Sequence, residues 1–329
     1  MEKKLLKLRN KILLAAGGKN IRLDIFISDQ LTDLSRSQIQ KMIRDGLVLV
    51  NGKESKTGFK LDGNETIQYS FPNRTPELNR ITPEDIPLNI LHEDEDIIAV
   101  NKSAGIVVHP GVGKRNHTLV NGLAFHFETL SDFNGVLRPG IVHRLDEYTS
   151  GVILVAKNNQ SHSNLAAQFE NRTIQKEYLA VTWNNWKETE GQIDAAIRRM
   201  RTDHTSYVIN KVGKQAITDY KVINQGKILS EVAFYPKTGR THQIRVHSAS
   251  MNHPIFGDEK YGGGINKTKG FIPEITRCLK EMLNKLNRHA LHARKISFLH
   301  PRTQNKIEIE APIPEDIQQL IEGMKVIHG

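Results

Sequence analysis

The chain has 329 residues, with 46 Lys and Arg against 36 Asp and Glu, a formal net charge of +10. Its one cysteine, Cys278, excludes an internal disulfide framework and a cysteine-built zinc site. No apolar run nears the roughly 20 residues of a membrane span, and Ile12–Ala16 is too short for the apolar core of a cleaved leader. These features predict a reducing, cytoplasmic setting. At about 150 residues per domain the length suits two domains, or one large and one small. The basic excess favours a polyanionic partner, nucleic acid first and an anionic membrane surface second.

Residues 1–20 read as a basic amphipathic lead-in, a solvated extension with a frayed helix. Residues 21–72 predict a compact αβ unit. One short helix starts at Ile21–Ile27, and Ser35-Arg36-Ser37-Gln38 resembles a capping box that opens a second. In that second helix Ile39, Met42, Ile43 and Leu47 share the inward face, while Ser37, Gln40, Lys41 and Arg44 lie opposite. Leu47–Val50 reads as a strand and Asn51-Gly52 as a hairpin turn. A basic helical face carrying Lys41 and Arg44 suits docking on RNA, and equally a merely solvated surface. Residues 73–87 read as a linker, because Pro72, Pro76, Pro83 and Pro87 stand among polar spacers.

From residue 88 to 329 strands dominate, with helices between them. Ile97–Val100, Val152–Val155 and Tyr178–Val181 read as strands, and 161–171 as a helix. Tyr220–Ile223 and Ile228–Phe234 form a predicted hairpin, followed by a helix over 241–251. Ile275, Leu279, Met282, Leu283 and Leu286 mark another helix, Ile296–Phe298 and Ile307–Ile309 another hairpin, and Asp316–Met324 a closing helix. The fold class is α+β: a small N-terminal αβ domain and a large domain on a mixed, mainly antiparallel sheet flanked by helices.

Several chemical signals fail. Gly111-Val112-Gly113-Lys114 lacks the Ser or Thr of a phosphate loop, since Arg115 follows, and Asn116 stands where a dinucleotide fingerprint needs glycine. His289 and His292 have no neighbouring ligand in sequence and read as structural. Glu93-Asp94-Glu95-Asp96 reads as a solvated turn. The segment Gly140–Gly151 differs. Its apolar approach delivers His143-Arg144-Leu145-Asp146, and Thr149-Ser150-Gly151 turns the chain back into a strand. That places a reachable carboxylate at a strand end beside an arginine; an Asp that caps the turn and pairs with Arg144 fits the same residues.

His143-Arg144-Leu145-Asp146-x-x-Thr149-Ser150-Gly151 resembles the signature of the RluA-type pseudouridine synthases. Further segments match in the family's order: Val100–Gly105 with Val108-His109-Pro110, Lys176-Glu177-Tyr178, Thr238–His247 with His253–Asp258, and Arg288–Ala293 with His300-Pro301. The matches span about residues 88–312, and residues 21–72 resemble the S4-type RNA-binding domain carried in front by many members. Two departures stand out, Ser103 where the family usually has Pro and Asp62-Gly63-Asn64 for the more usual Gly-Asp ending.

The resemblance implies isomerisation of uridine in RNA, most simply in large-subunit ribosomal RNA, with neither metal nor cofactor; a monomer is expected, though the sequence itself carries no signal of oligomeric state. It implies Asp146 as the essential carboxylate, Arg245 as the cation that keeps it charged, and Tyr178 as the ring that stacks on the flipped uracil and serves proton transfer. Arg144 is expected to enter the gap in the RNA stack, and His143 to be structural or to contact RNA. Lys102, Lys114, Arg115, Arg240 and Lys260 are candidate phosphate contacts, with Lys41 and Arg44 in the N-terminal domain. A catalytically silent RNA-binding or assembly factor on the same fold is the alternative, and the intact Asp146, Tyr178 and Arg245 set argues against it.

Overall fold

A computed structural model describes residues 8–31, 36–72, 81–111, 114–135 and 137–328. The chain divides into two compact units, residues 1–80 and 81–329. Among the described residues no helix is long and apolar enough to cross a membrane.

The first unit contains β1 (Leu8–Leu14), α1 (Leu23–Gln30), α2 (Arg36–Arg44), β2 (Val48–Val50), β3 (Lys53–Glu54) and β4 (Thr66–Pro72), with an antiparallel sheet in the order β1-β4-β2-β3. Its core gathers Leu23, Ile27, Ile39, Ile43, Val48, Leu61 and Ile67, so α2 buries the face its 3.6-residue period assigns. Lys41 and Arg44 are exposed. Asn51 and Gly52 have φ of 50° and 78°, the pair of left-handed residues that a two-residue hairpin requires. Ser35, the expected helix cap, lies outside the described residues.

Two expectations need correction. Residues 8–14 are neither helical nor a free extension: they pair with β4 from Leu8↔Pro72 to Leu14↔Thr66. The far side of β4 offers a row of backbone donors and acceptors, and β1 satisfies them. Gln40 is not simply outward. Its Nε2 donates to the buried Asp24 at 2.6 Å, and Arg22 and Arg36 donate to the same carboxylate at 3.0 Å. Burial would raise the pKa of Asp24, but the bonds from Arg22, Gln40 and Arg36 outweigh it and hold it at about 2.

The second unit runs β5 (Ile90–Glu93), β6 (Ile97–Lys102), α3 (Leu119–His126), β7 (Ser150–Ala156), α4 (Asn159–Glu170), β8 (Gln175–Trp183), β9 (Glu190–Asp194), β10 (Ile197–Arg199), β11 (Tyr207–Ile209), β12 (Ile217–Gln225), β13 (Leu229–Pro236), α5 (Gln243–Ser250), α6 (Pro273–Leu286), β14 (Leu291–Leu299), β15 (Lys306–Glu310) and α7 (Glu315–His328). The main sheet has the order β5-β6-β7-β14-β8-β13-β12-β9, with β15 on the far end of β14; β10 and β11 form a separate ribbon. All pairings are antiparallel except β7 with β14, in register at Ser150↔His292 and Gly151↔Ala293. The sheet is therefore mixed and mainly antiparallel, as expected.

β7 is buried along its whole length. Val152, Leu154 and Ala156 enter a core with α4 and β14, while Ile153 and Val155 enter another with α3. A strand covered on both faces reads as an unbroken apolar run. A third core packs Trp183, Trp186, Phe234 and Phe256 against α6 and α7.

The expected linker is shorter on its C-terminal side. Asn121 donates to the Thr82 carbonyl at 2.8 Å and accepts the Glu84 N–H through its own backbone at 3.1 Å. Ile81 and Leu88 pack on the core around α3. Proline stiffens residues 81–87 but does not free them. The acidic run is not a solvated turn either. Asp94 accepts the backbone N–H groups of Asp96 and Ile97 and faces His92 and His300 at 2.8 and 3.2 Å. Asp96 is buried against Arg302, Asn158 and Ser161. The run ties the β5–β6 turn to α4 and the β14–β15 hairpin.

Gly151 crosses β14 at the parallel pairing with φ 113°, and an added Cβ would stand 2.1 Å from the Ala293 carbonyl oxygen. That overlap is backbone on backbone, so no rotamer relieves it. Gly151→Ala is expected to destabilise the second unit by more than about 2 kcal/mol, read as a drop in Tm. An unchanged Tm would contradict the tight parallel crossing.

Candidate active site

The loop between Gly140 and β7 carries Asp146, and it is fastened from several sides. The Asp146 carbonyl accepts the Thr149 N–H at 3.1 Å, which closes a turn. Thr149 Oγ1 meets His289 Nε2 and Ser150 Oγ meets His292 Nδ1, both at 2.9 Å, across the parallel crossing. On the other side Lys102 Nζ donates to the carbonyls of Ser103, Ile106 and Glu147 at 2.8, 2.9 and 3.0 Å. Lys102 is 1% exposed, and burial lowers its pKa to about 7. In the charged form all three ammonium protons go to backbone carbonyls. Lys102 is therefore not the expected phosphate contact; it holds the residue next to Asp146.

The partner of Asp146 comes from α5. The loop 238–243 is braced by Gln243, whose Oε1 accepts from Thr238 Oγ1 and the Arg240 N–H, and whose Nε2 donates to Ile217 O and Thr218 Oγ1. Within the first turn that follows, Arg245 points its Nη1 at Asp146 Oδ2, 3.1 Å away. Its other edge is taken by Asp258, with Nε–Oδ2 at 2.7 Å and Nη2–Oδ1 at 2.9 Å. The Tyr261 ring lies under the guanidinium, 5.0 Å from its centroid. Arg245 and Asp258 are buried, so the bidentate pair fixes the arginine as a rigid plane. Asp146 is thus paired with Arg245 and not with Arg144.

Burial would raise the pKa of Asp146. The positive groups that face it, His242, Arg245 and His289, more than offset that and hold it below the ordinary carboxylate value. His289 is itself pushed down to about 4 by burial, and His242 is lowered as well. Arg245 is therefore the charge that persists at neutral pH.

Asp146, Tyr178, Arg144, Arg240 and Arg245 line one small open cleft of about 100 Å³. Tyr178 reaches it from β8, and burial together with Asp146 drives its phenol pKa upward, so the ring stays neutral. Arg144 is exposed at the mouth. A neighbouring basin shares Arg144, Lys176, Tyr178 and Arg240 with the cleft and adds Arg172 and Lys237. The Lys176 ammonium makes no hydrogen bond or ion pair among the described residues, and burial lowers its pKa to about 8.

The remaining expected contacts divide. Arg240 donates its Nε to Gln215 O and leaves the rest of its guanidinium at the cleft wall. Arg115 is exposed. Lys114 is paired with Glu147, and Lys260 with Thr205 and, at 3.9 Å, Asp203. His143 accepts the Leu154 N–H at its Nε2, 2.8 Å, with its ring 4.7 Å from that of Phe169 and its pKa lowered to about 3. That bond and ring contact suit the structural one of its two expected roles. Lys41 and Arg44 lie in the first unit. Asp258, His242, Tyr261 and Lys176 were not singled out for a role in the sequence, although three of them stand inside the matched segments. For a metal, the described residues bring together only Asp94, Asp96 and His300, and those carboxylates are already bound to Arg302 and His92.

Comparison with known proteins bears on the family and the fold. A family model described as RNA pseudouridylate synthase matches residues 96–250, and an S4 domain model matches residues 21–67. An uncharacterized RNA pseudouridine synthase of Bacillus subtilis strain 168, YlyB, is 40% identical over 307 residues, covering 93% of this chain and 95% of that protein. The ribosomal large subunit pseudouridine synthase D of Escherichia coli strain K12 is 39% identical over 305 residues, covering 92% and 90%. Among solved structures, human RNA pseudouridylate synthase domain containing 1 matches the fold with a TM-score of 0.53 at 24% identity, covering 74% of this chain and 96% of that one. With this identity sustained over nearly the whole length of its relatives, the chain belongs to the RNA pseudouridine synthase family, a family of isomerases, and carries an N-terminal S4 domain.

Proposed function

We propose that this protein converts specific uridines of large-subunit ribosomal RNA to pseudouridine, with Asp146 as the essential carboxylate, and that it works as a monomer in the cytoplasm. The observation that carries this reading is a carboxylate kept charged by a fixed arginine on the wall of a basic cleft. The Escherichia coli relative, named for the large ribosomal subunit, supports the choice of RNA. The isomerisation breaks the bond from N1 to the sugar and forms one from C5, with a proton lost at C5 and one gained at N1. It is redox-neutral, so the proposal includes no cofactor and no metal.

Each expected residue takes a role that its surroundings allow. Tyr178 offers a neutral ring beside Asp146, on which an extruded uracil stacks; stacking of this kind contributes about 1–3 kcal/mol per base and offsets the few kcal/mol of extrusion. Arg144, exposed and unpaired among the described residues at the cleft mouth, fills the gap left in the RNA stack. Arg240 contacts phosphate. Lys41 and Arg44 contact RNA from the S4 domain, so we assign residues 8–72 to docking and 81–329 to catalysis.

Incubation with large-subunit ribosomal RNA transcripts, with pseudouridine mapped by chemical probing, tests the assignment. Wild type is expected to modify discrete positions, and Asp146→Ala to bind with similar affinity and form no product. Product from the variant would remove Asp146 from its role, and a wild type that binds every such RNA without modifying any would return the silent-factor alternative. For the docking domain, Lys41→Ala combined with Arg44→Ala is expected to weaken RNA binding. It should also flatten the slope of log affinity against log salt by about 1.4, at roughly 0.7 per phosphate contact on single strands. An unchanged slope would show that these two side chains meet solvent only.

A further inference from the structure

The cleft contains a second polar group aimed at Asp146. His242 directly precedes α5 and has φ 55° and ψ 21°, the left-handed region where a side-chain-bearing residue is strained. In this conformation its Nε2 faces Asp146 Oδ2 at 3.9 Å and its Nδ1 lies 2.7 Å from Tyr261 Oη.

The hydrogen-bond partners of Tyr261 favour one position for the ring proton. Tyr207 N–H, which can only donate, gives its proton to Tyr261 Oη at 3.0 Å. Oη then has one proton of its own to place, and His242 Nδ1 is the acceptor at hand among the described residues. Nδ1 is therefore unprotonated, and the ring N–H of the neutral imidazole is on Nε2, the nitrogen that faces the cleft. The ring is held edge-on to both tyrosines, at centroid distances of 5.4 Å from Tyr207 and 5.6 Å from Tyr261. Burial and Arg245 keep the imidazole below the usual histidine value against the opposing pull of Asp146 and Asp258, so it is neutral at neutral pH.

At 3.9 Å the Nε2–H is too far from Asp146 for a hydrogen bond. It is a donor without an acceptor among the described residues, on the wall of the cleft that also holds Asp146 and Tyr178. Arg245 differs from it, because three of its five N–H groups are already committed, two to Asp258 and one to Asp146. We propose that His242 Nε2–H donates a hydrogen bond to a carbonyl oxygen of the extruded uracil, and that Tyr261, itself held by Tyr207, fixes the tautomer that makes this possible. The proposal rests on the function proposed above. When the bond from N1 to the sugar breaks, its electron pair stays with the base and the charge spreads onto the carbonyl oxygens. A preorganised neutral donor there binds the detached base more strongly than the intact nucleotide, so it acts on the chemical step more than on RNA affinity.

Single-turnover pseudouridine formation on one substrate RNA, measured beside RNA affinity and Tm, tests this. His242→Leu is expected to lower the rate at saturating RNA by about 100-fold, the size of one lost donor to a developing anion, with RNA affinity changed by no more than about threefold. His242→Gln keeps an N–H near the Nε2 position and should recover most of that rate. Tyr261→Phe keeps the ring under Arg245 but releases the tautomer, and should fall between His242→Leu and wild type. An active wild type with undiminished His242→Leu or Tyr261→Phe overturns this proposal alone. So does a His242→Gln protein of normal Tm and affinity that is as slow as His242→Leu, since that result marks a purely structural ring. A wild type that modifies no ribosomal RNA overturns the underlying function and this proposal with it.

Discussion

One guanidinium shared by two carboxylates organises the active region of this protein. Asp258 takes the Nε and Nη2 edge of Arg245 and leaves Nη1 for Asp146. A buried arginine with one acid fully paired is immobile, so the second acid meets a fixed charge in a fixed direction. The arrangement is costly to break. Loss of one partner from a buried ion pair commonly destabilises by about 3–5 kcal/mol, because the remaining charge stays buried without compensation. The geometry that makes Asp146 available to a substrate is therefore also part of what holds α5 to the turn that carries Asp258.

The scaffold brings these groups together from distant parts of the chain. β14 lies between the two halves of the main sheet, parallel to β7 and antiparallel to β8. That single parallel pairing sets the loop of Asp146 beside Tyr178 of β8, and the hydroxyls of Thr149 and Ser150 are tied across it to His289 and His292. Lys102 completes the fastening through three backbone carbonyls. A cation placed this way stabilises the loop by hydrogen bonds to the main chain, which do not compete with Arg245 for the Asp146 carboxylate. The left-handed backbone of His242 belongs to the same economy, since strain at one residue persists only where surrounding contacts fix it.

What could be read in the sequence was local. The apolar periods of α2, α6 and β7, the Asn51-Gly52 turn and the paired strands around 224–227 and 301–305 are written within a few residues, and the structure has them. The segment around Asp146 was legible as a strand-end carboxylate, and its family resemblance supplied the distant motifs. The misreadings depended on partners far along the chain. Leu8–Leu14 became a strand because β4, over fifty residues later, offers an unpaired edge. Asp94 and Asp96 looked solvated because His300 and Arg302 lie some two hundred residues away. Lys102 looked like a free cation because no spacing rule shows three carbonyls converging on one ammonium. Asp258 and His242 were visible as motif members, but their roles follow from what each faces, Arg245 for Asp258 and Asp146 for His242, and that appears only in three dimensions.

The account stands or falls on Arg245 as the charge that keeps Asp146 ionised. The most direct measurement is the pH dependence of the single-turnover rate in wild type and Arg245→Gln, from about pH 3.5 to 8. A depressed pKa means the carboxylate remains charged as the pH falls, so the wild-type rate should hold level down to below the ordinary Asp value of about 3.9. Without Arg245, only His242 and His289 oppose burial, and the residual activity should require a higher pH, with its acid limb moved up by about one unit, at the low end of the 1–3 units that a facing cation supplies. An acid limb at the same pH in both proteins would contradict the central claim.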